Sequence, residues 1–145
     1  AKTVLVTRPQ HPLLQSKEVS LADLKDLSWA IPPPGGAFRA QIDAFFITNG
    51  VPFPTRTFEA SSFQILKRVI QGSDAVTLAA TQIVRDELDA QKLAYLELKE
   101  SVAERIFGLY TKANRDLGSL GELFCKLAVD IAPEFEMHVN NKAAE

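Results

Sequence analysis

Three segments of this chain, residues 31–38, 59–63 and 78–83, run from apolar strand-like residues through small or hydroxylic ones into a helix-like stretch. Strand–loop–helix order, repeated, is the pattern of a parallel α/β sheet. It predicts three loops at the carboxyl edge of the strands, where open α/β sheets bind ligands. The loops carry Pro33, Gly35 and Gly36, then Ser61 and Ser62, then Thr81. None sets a nucleophile beside a base or gathers metal-ligating side chains. The expectation is a receptor of small molecules and not an enzyme, with no catalytic residue, no metal ligand and no cofactor.

The 145 residues fit one domain, or one domain plus a piece of another. Hydrophobic residues at 46% and a formal charge of -2 argue against disorder. The same charge gives no basic footprint for nucleic acid, so residues outside this sequence would have to make any contact with DNA. A single cysteine, Cys125, excludes a disulfide framework and a cysteine-rich zinc site. It falls in an apolar helical pattern and is expected to be a buried small hydrophobe. No window approaches the roughly 20 apolar residues of a membrane span. Residues 1–8 lack the order of a secretory signal. A cytoplasmic protein is the expectation.

Thr3–Thr7 reads as a strand buried on both faces, because its apolar run is nearly continuous. Residues 8–17 form a connector in which Pro9 and Pro12 oppose a helix. Ser20 and Asp23 mark the start of a short helix over residues 21–26. Strands follow at 28–32, 55–60, 75–79 and 93–98. Helices are expected over 38–49, from Ser61 or Ser62 to Gly72, and from Thr81 to Ala90. Residues 104–113 read as a further strand. The last helix should start near Ser119, present a stripe of Leu120, Leu123, Phe124, Leu127, Ala128 and Ile131, and end at Pro133. The tail 137–145 is polar and expected to fray.

Ser61 and Ser62 stand where a helix leaves a strand, and free N–H groups with the helix dipole attract carboxylate or phosphate there. Plain N-capping explains the same serines, and the two roles are compatible. Gly35 and Gly36, behind the stiff Pro33, would let a ligand approach the backbone, though a strand-to-helix turn needs no more. Thr81 has the same dual reading. Arg39 could pair with an anion, and a solvated surface charge is the plainer account. His11 and His138 lack evident partners for metal or triad chemistry. Arg85-Asp86-Glu87 and Lys99-Glu100 read as solvated faces. Glu59 is the only acid near a strand end, so a carboxylate pair for acid–base work is missing.

Several short motifs recur in a telling order: His11-Pro12-Leu13, Val19-Ser20-Leu21-Ala22-Asp23-Leu24, Ile31-Pro32-Pro33-Pro34-Gly35, Glu59-Ala60-Ser61-Ser62, the strand 75–79, and Val84-Arg85-Asp86-Glu87-Leu88. With the closing stretch from Gly108-Leu109 to Asp116-Leu117 and the amphipathic helix behind it, they resemble the carboxyl-terminal part of a LysR-type transcriptional regulator over residues 3–133. One departure is Ala79-Ala80-Thr81, where family members commonly show a proline. The resemblance implies an α/β, periplasmic-binding-protein-like open sheet with one complete lobe and part of a second. It divides the chain into a crossover strand and connector (1–17), a complete second lobe (18–100), a return strand and closing helix (101–135) and a frayed tail (136–145). It implies an effector site between lobes, and the loop residues read above, Pro33, Gly35, Gly36, Ser61, Ser62 and Thr81, are the candidates for it. It also implies a homodimer or higher oligomer, no membrane partner, and DNA contact only through a helix-turn-helix absent from this chain. The expected function is a truncated effector-sensing domain that binds a small anionic metabolite. A stand-alone small-molecule binding protein of related fold is the alternative.

Overall fold

Thr3–Thr7 (TVLVT) forms β1, and all five of its residues are buried. A strand buried on both faces has to sit inside a sheet with helices on either side. In the computed structural model β1 does so. The structure describes residues 2–16, 19–99, 109, 111–112 and 116–140, without the side chains of Leu21 and residues 134–140. The chain divides into two compact units, Thr3–Ala103 and Glu104–Glu145 with Ala1–Lys2.

The first unit is built on β1, β2 (Ser28–Ile31), β3 (Arg56–Glu59), β4 (Ala75–Ala80) and β5 (Ala94–Leu96) in the order β3-β2-β4-β1-β5. Strand β2 runs parallel to β3 and to β4. Strand β1 is antiparallel to β4 and to β5. The sheet is therefore mixed, not all-parallel. The strand expected as a crossover ahead of the lobe 18–100 is an interior member of that lobe's sheet. That misplacement has a simple cause, since sequence order does not reveal which strand fills the gap between β4 and β5.

Alternate residues of the strands feed two cores. On one face, Leu5, Trp29, Ile31, Val76 and Leu78 pack with Leu24 of α1 (Leu21–Lys25) and with Ile42, Phe45 and Phe46 of α2 (Ala37–Thr48). On the other, Val4, Val6, Ala30, Ala75 and Ala79 pack with Leu66 and Ile70 of α3 (Phe63–Gly72), and Val84 and Leu93 complete the cluster. The short α4 (Arg85–Asp89) follows a 3-10 turn, Thr81–Val84. Trp29 is fully buried, meets Phe46 edge to face at 5.0 Å, and donates its indole N–H to the Leu24 carbonyl at 2.8 Å.

Helix α1 is closed at its start by a capping box between Ser20 and Asp23. The Ser20 hydroxyl and N–H both donate to the Asp23 carboxylate, which holds it below its ordinary pKa. Helix α2 ends at Asn49 and Gly50, and Gly50 has the positive φ of 64° that a glycine accepts without strain. His11, expected to lack partners, is buried. Its Nδ1 accepts the Leu13 N–H at 3.1 Å as the cap of a 3-10 turn, Pro12–Gln15, and its Nε2 donates to the Asp74 carbonyl at 3.1 Å.

In the second unit, α5 spans Gly118–Asn140 and passes through Pro133, where its end was expected. Proline removes one N–H from the ladder, yet the residues beyond it can still follow a helical path. Ser119 is inside the helix and not its cap, because the helix begins one residue earlier. The Gly118 N–H donates to Asp116 Oδ1 at 2.8 Å. Residues 137–140 of the expected frayed tail are helical, and 141–145 lie outside the described residues. Cys125 is half-buried. The apolar stripe is largely exposed, Leu120 at 81% and Phe124 at 64%. The strand expected over 104–113 falls mostly outside the described residues.

Candidate functional site

Strands β2, β3 and β4 point the same way, so the three openings read from the sequence emerge at one edge of the sheet. Register fixes their spacing: Ile31 stands beside Glu59, and Ala80 beside Thr3. The residues predicted from sequence, Pro33, Gly35, Gly36, Ser61, Ser62 and Thr81, therefore share one edge.

At the first opening Gly35 has φ of 101°, a conformation that strains any residue with a β-carbon. Gly36 is the N-cap of α2 and has no side chain with which to cap it. A β-carbon built at either glycine meets nothing within 4 Å, so both backbones face open space. At the second opening Ser62 holds the N-cap position of α3, but its hydroxyl makes no capping bond. Ser61 is exposed and Ser62 half-buried. Helices α2 and α3 thus start at this edge without side-chain caps, and their first N–H groups remain available to an acceptor. The contrast with the capping box of α1 is direct.

The third opening differs from expectation. Thr81 does not cap a helix: Ala80 occupies the cap position, Thr81 begins the 3-10 turn, and α4 starts only at Arg85. The Thr81 hydroxyl lies 3.4 Å from Gln82 Oε1. Ala80, which holds the cap position, has no side-chain oxygen with which to close this turn. Nearby, Gln41 of α2 donates to Thr3 Oγ1 at 3.0 Å and ties the helix to the start of β1.

Arg39 is not a solvated charge. Only 9% of it is exposed. Its Nε donates to Asp43 Oδ1 at 2.8 Å, and its Nη1 donates to the Pro32 carbonyl and to Glu59 Oε1, each at 3.0 Å. The guanidinium also lies over the Phe53 ring, 4.9 Å from its centroid. Burial alone would lower its pKa. The Asp43 and Glu59 carboxylates outweigh that penalty and raise it, so the charge is permanent. Asp43 and Glu59 share this one cation, which engages both acids at the edge. The sequence signal was present in Asp43, four residues after Arg39 on the same helix face, but Glu59 is brought in only by the β2–β3 register.

Glu87 likewise departs from the expected solvated face. It pairs at 2.5 Å with Lys67, whose side chain is 9% exposed, and so joins α4 to α3. Phe38 and Phe63, the residues at the starts of α2 and α3, meet edge to face at 5.3 Å. Among the described residues no group of three or more His, Cys, Asp or Glu could hold a metal ion.

A family model described as the LysR substrate binding domain matches residues 1–132. The chain belongs to the LysR substrate-binding-domain family. Among curated relatives, the RuBisCO operon transcriptional regulator of Acidithiobacillus ferrooxidans is 32% identical over 102 residues, which is 70% of this chain and 33% of that protein. The SDS degradation transcriptional activation protein of a Pseudomonas strain is 29% identical over 134 residues, 88% of this chain and 42% of its own length. The chain thus spans a third to about two-fifths of these two regulators. The regulatory domain of Synechocystis PCC6803 CcmR in complex with 2-PG superposes with a TM-score of 0.69 at 18% identity, covering 89% of this chain and 62% of that one. The effector-binding domain of QuiR in complex with shikimate gives 0.68 at 15% identity, covering 92% and 62%. These structures share the α/β, periplasmic-binding-protein-like fold of LysR effector domains. As a LysR-type effector-binding domain, the chain is of the kind that serves regulators sensing small molecules.

Proposed function

We propose that this chain senses a small anionic metabolite at the carboxyl edge formed by Pro33, Gly35, Gly36, Ser61, Ser62 and Thr81. The observation that carries the reading is that α2 and α3 both begin at this edge without a side-chain cap, while α1 is closed by a capping box. Such starts offer N–H groups and the positive end of the helix dipole to a carboxylate or phosphate. Two structural neighbours were solved with carboxylates, QuiR with shikimate and BenM with benzoate, which supports an effector of that charge.

In this reading the chain is a piece of the effector domain, comprising a complete second lobe and part of the first. Its occupancy biases the arrangement of lobes or subunits, and a helix-turn-helix elsewhere in the protein meets DNA. The chain performs no catalysis, acts in the cytoplasm and self-associates. Support for association comes from the exposed apolar residues of α5, which favour a partner surface. Among the described residues no helix is long and apolar enough to cross a membrane.

The test is an amide chemical-shift titration with sodium sulfate and with sodium benzoate. Perturbations should centre on Gly36, Ala37, Ser62 and Phe63. Ser62→Ala should weaken benzoate by roughly 1–2 kcal/mol, the worth of one hydrogen bond to a charged acceptor. Shifts confined to the opposite edge, around Arg8, His11 and Asp74, would overturn the reading.

A further inference from the structure

The first turn of α2 touches the second opening at both of its ends. Arg39 Nη1 holds Glu59, the last residue of β3, and the Pro32 carbonyl just beyond β2. The preceding residue, Phe38, meets Phe63, the first residue of α3. Ser61 and Ser62 lie between those two contacts. The backbone repeats the link, since the Ala60 N–H donates to the Ile31 carbonyl at 3.2 Å. Beneath, Asp43 fixes the guanidinium from one helical turn away and Phe53 covers its face.

We infer that Arg39 is a positioning residue: it locks the Pro33–Gly36 opening to the Ser61–Ser62 opening, so that two separate loops present their N–H groups as one preformed surface. The inference rests on the proposed effector edge. A guanidinium suits the task because it is planar and carries several donors in a fixed fork. Here one side chain engages three acceptors that come from α2, the end of β2 and the end of β3. An ammonium at the same place would meet one or two of them and hold none in a fixed plane. The charge is also kept out of water, so salt screens these bonds less than it screens an exposed pair. Without Arg39 the acids Asp43 and Glu59 would face each other uncompensated, and the strand end and the helix start would part. Order at the two openings, and not direct contact with ligand, is what the residue supplies.

Hydrogen exchange on the full chain decides the matter without a ligand. Arg39→Met keeps an unbranched apolar stem over Phe53 and removes every donor. In that variant the Ala60 amide, and the Ile65 and Leu66 amides bonded to the Ser62 carbonyl, should exchange about tenfold faster relative to amides of the β1–β4 ladder. Arg39→Lys should fall between wild type and Arg39→Met, and it serves if the methionine variant does not fold. A uniform acceleration across the whole sheet would mean a structural role only and would overturn the inference, as would unchanged exchange at Ala60. Sulfate titration of the same variants forms the second arm, and Arg39→Met should raise the sulfate Kd several-fold with shifts still centred on Gly36 and Ser62. If sulfate perturbs no amide of this edge in the wild-type protein, the effector reading fails while the exchange result still decides the role of Arg39.

Discussion

Thr77 and Thr7 form a pair that isolates the energetics of one buried hydroxyl. Thr77 lies on β4 opposite Val6, is 0% exposed, and its Oγ1 has no hydrogen-bond partner among the described residues. It shares its face with Ala75 and Ala79, which pack in the cluster with Leu66 and Ile70. An unpartnered buried hydroxyl costs about 1–3 kcal/mol by mutational measures. Valine has the same shape, and its extra methyl is worth about 0.8 kcal/mol when buried. Thr77→Val should therefore stabilise the sheet unit by about 1–2 kcal/mol, and each kcal/mol should raise Tm by roughly 4–8 °C in a unit of this size. Thr7, on the neighbouring β1, is also 0% exposed, but its hydroxyl donates to the Arg8 carbonyl at 3.1 Å. Thr7→Val breaks a bond that is made, and should destabilise by about 0.5–1.5 kcal/mol. Urea titration followed by the fluorescence of Trp29, the single tryptophan of the chain, reports both changes. The reasoning is refuted if Thr77→Val lowers the midpoint as Thr7→Val does. That result would mean a buried water or a backbone oxygen meets the Thr77 hydroxyl.

Trp29→Phe removes the indole donor to the Leu24 carbonyl and leaves unfilled volume against Phe46, so it should cost about 2–4 kcal/mol in a urea titration followed by circular dichroism. The Asp23 carboxyl is held below its ordinary pKa, so its contribution to α1 is present above about pH 4 and is lost as the pH falls through the depressed value. Asp23→Asn should abolish that acid-side loss of α1 amide protection, and a pH series of exchange rates measures it. Phe124→Asp, on the exposed stripe of α5, should convert any oligomer to the 16.0 kDa monomer in light scattering at about 50 μM, because a charge is costly in an apolar contact. Unchanged mass on substitution would place the association surface elsewhere.

Much of the fold was legible because its determinants are local. Ser20 and Asp23 form a capping box within four residues, so the start of α1 could be read directly. Phe38, Ile42, Phe45 and Phe46 show the period of α2, and Asn49-Gly50 its end. The three openings were legible for the same reason, since each lies within a few residues of a strand end and a helix start. Thr81 failed because a threonine after a strand looks like a cap whether or not the chain turns tightly enough to use it, and here the first turn is 3-10. The place of β1 failed because pairing is a long-range choice: Thr3 meets Ala80 across the sheet, and nothing near Thr3 announces it.

The charged residues show the same division more sharply. Arg39 and Glu59 are separated by 20 positions, and Lys67 and Glu87 by another 20, and each pair joins two different elements and not two turns of one helix. Read singly, each is a polar residue on an amphipathic helix or at a strand end, for which solvent is the ordinary partner. Burial becomes tolerable only when the counter-charge arrives from another element, so the lone residue carries no sign of it. Helix starts such as those of α2 and α3 can therefore be located from sequence, while the side chains that pair across elements beside them cannot. That is why the loop residues of the proposed effector edge can be named from sequence, while Arg39, which bonds the Pro32 carbonyl and Glu59 beside them, reads there as a surface charge.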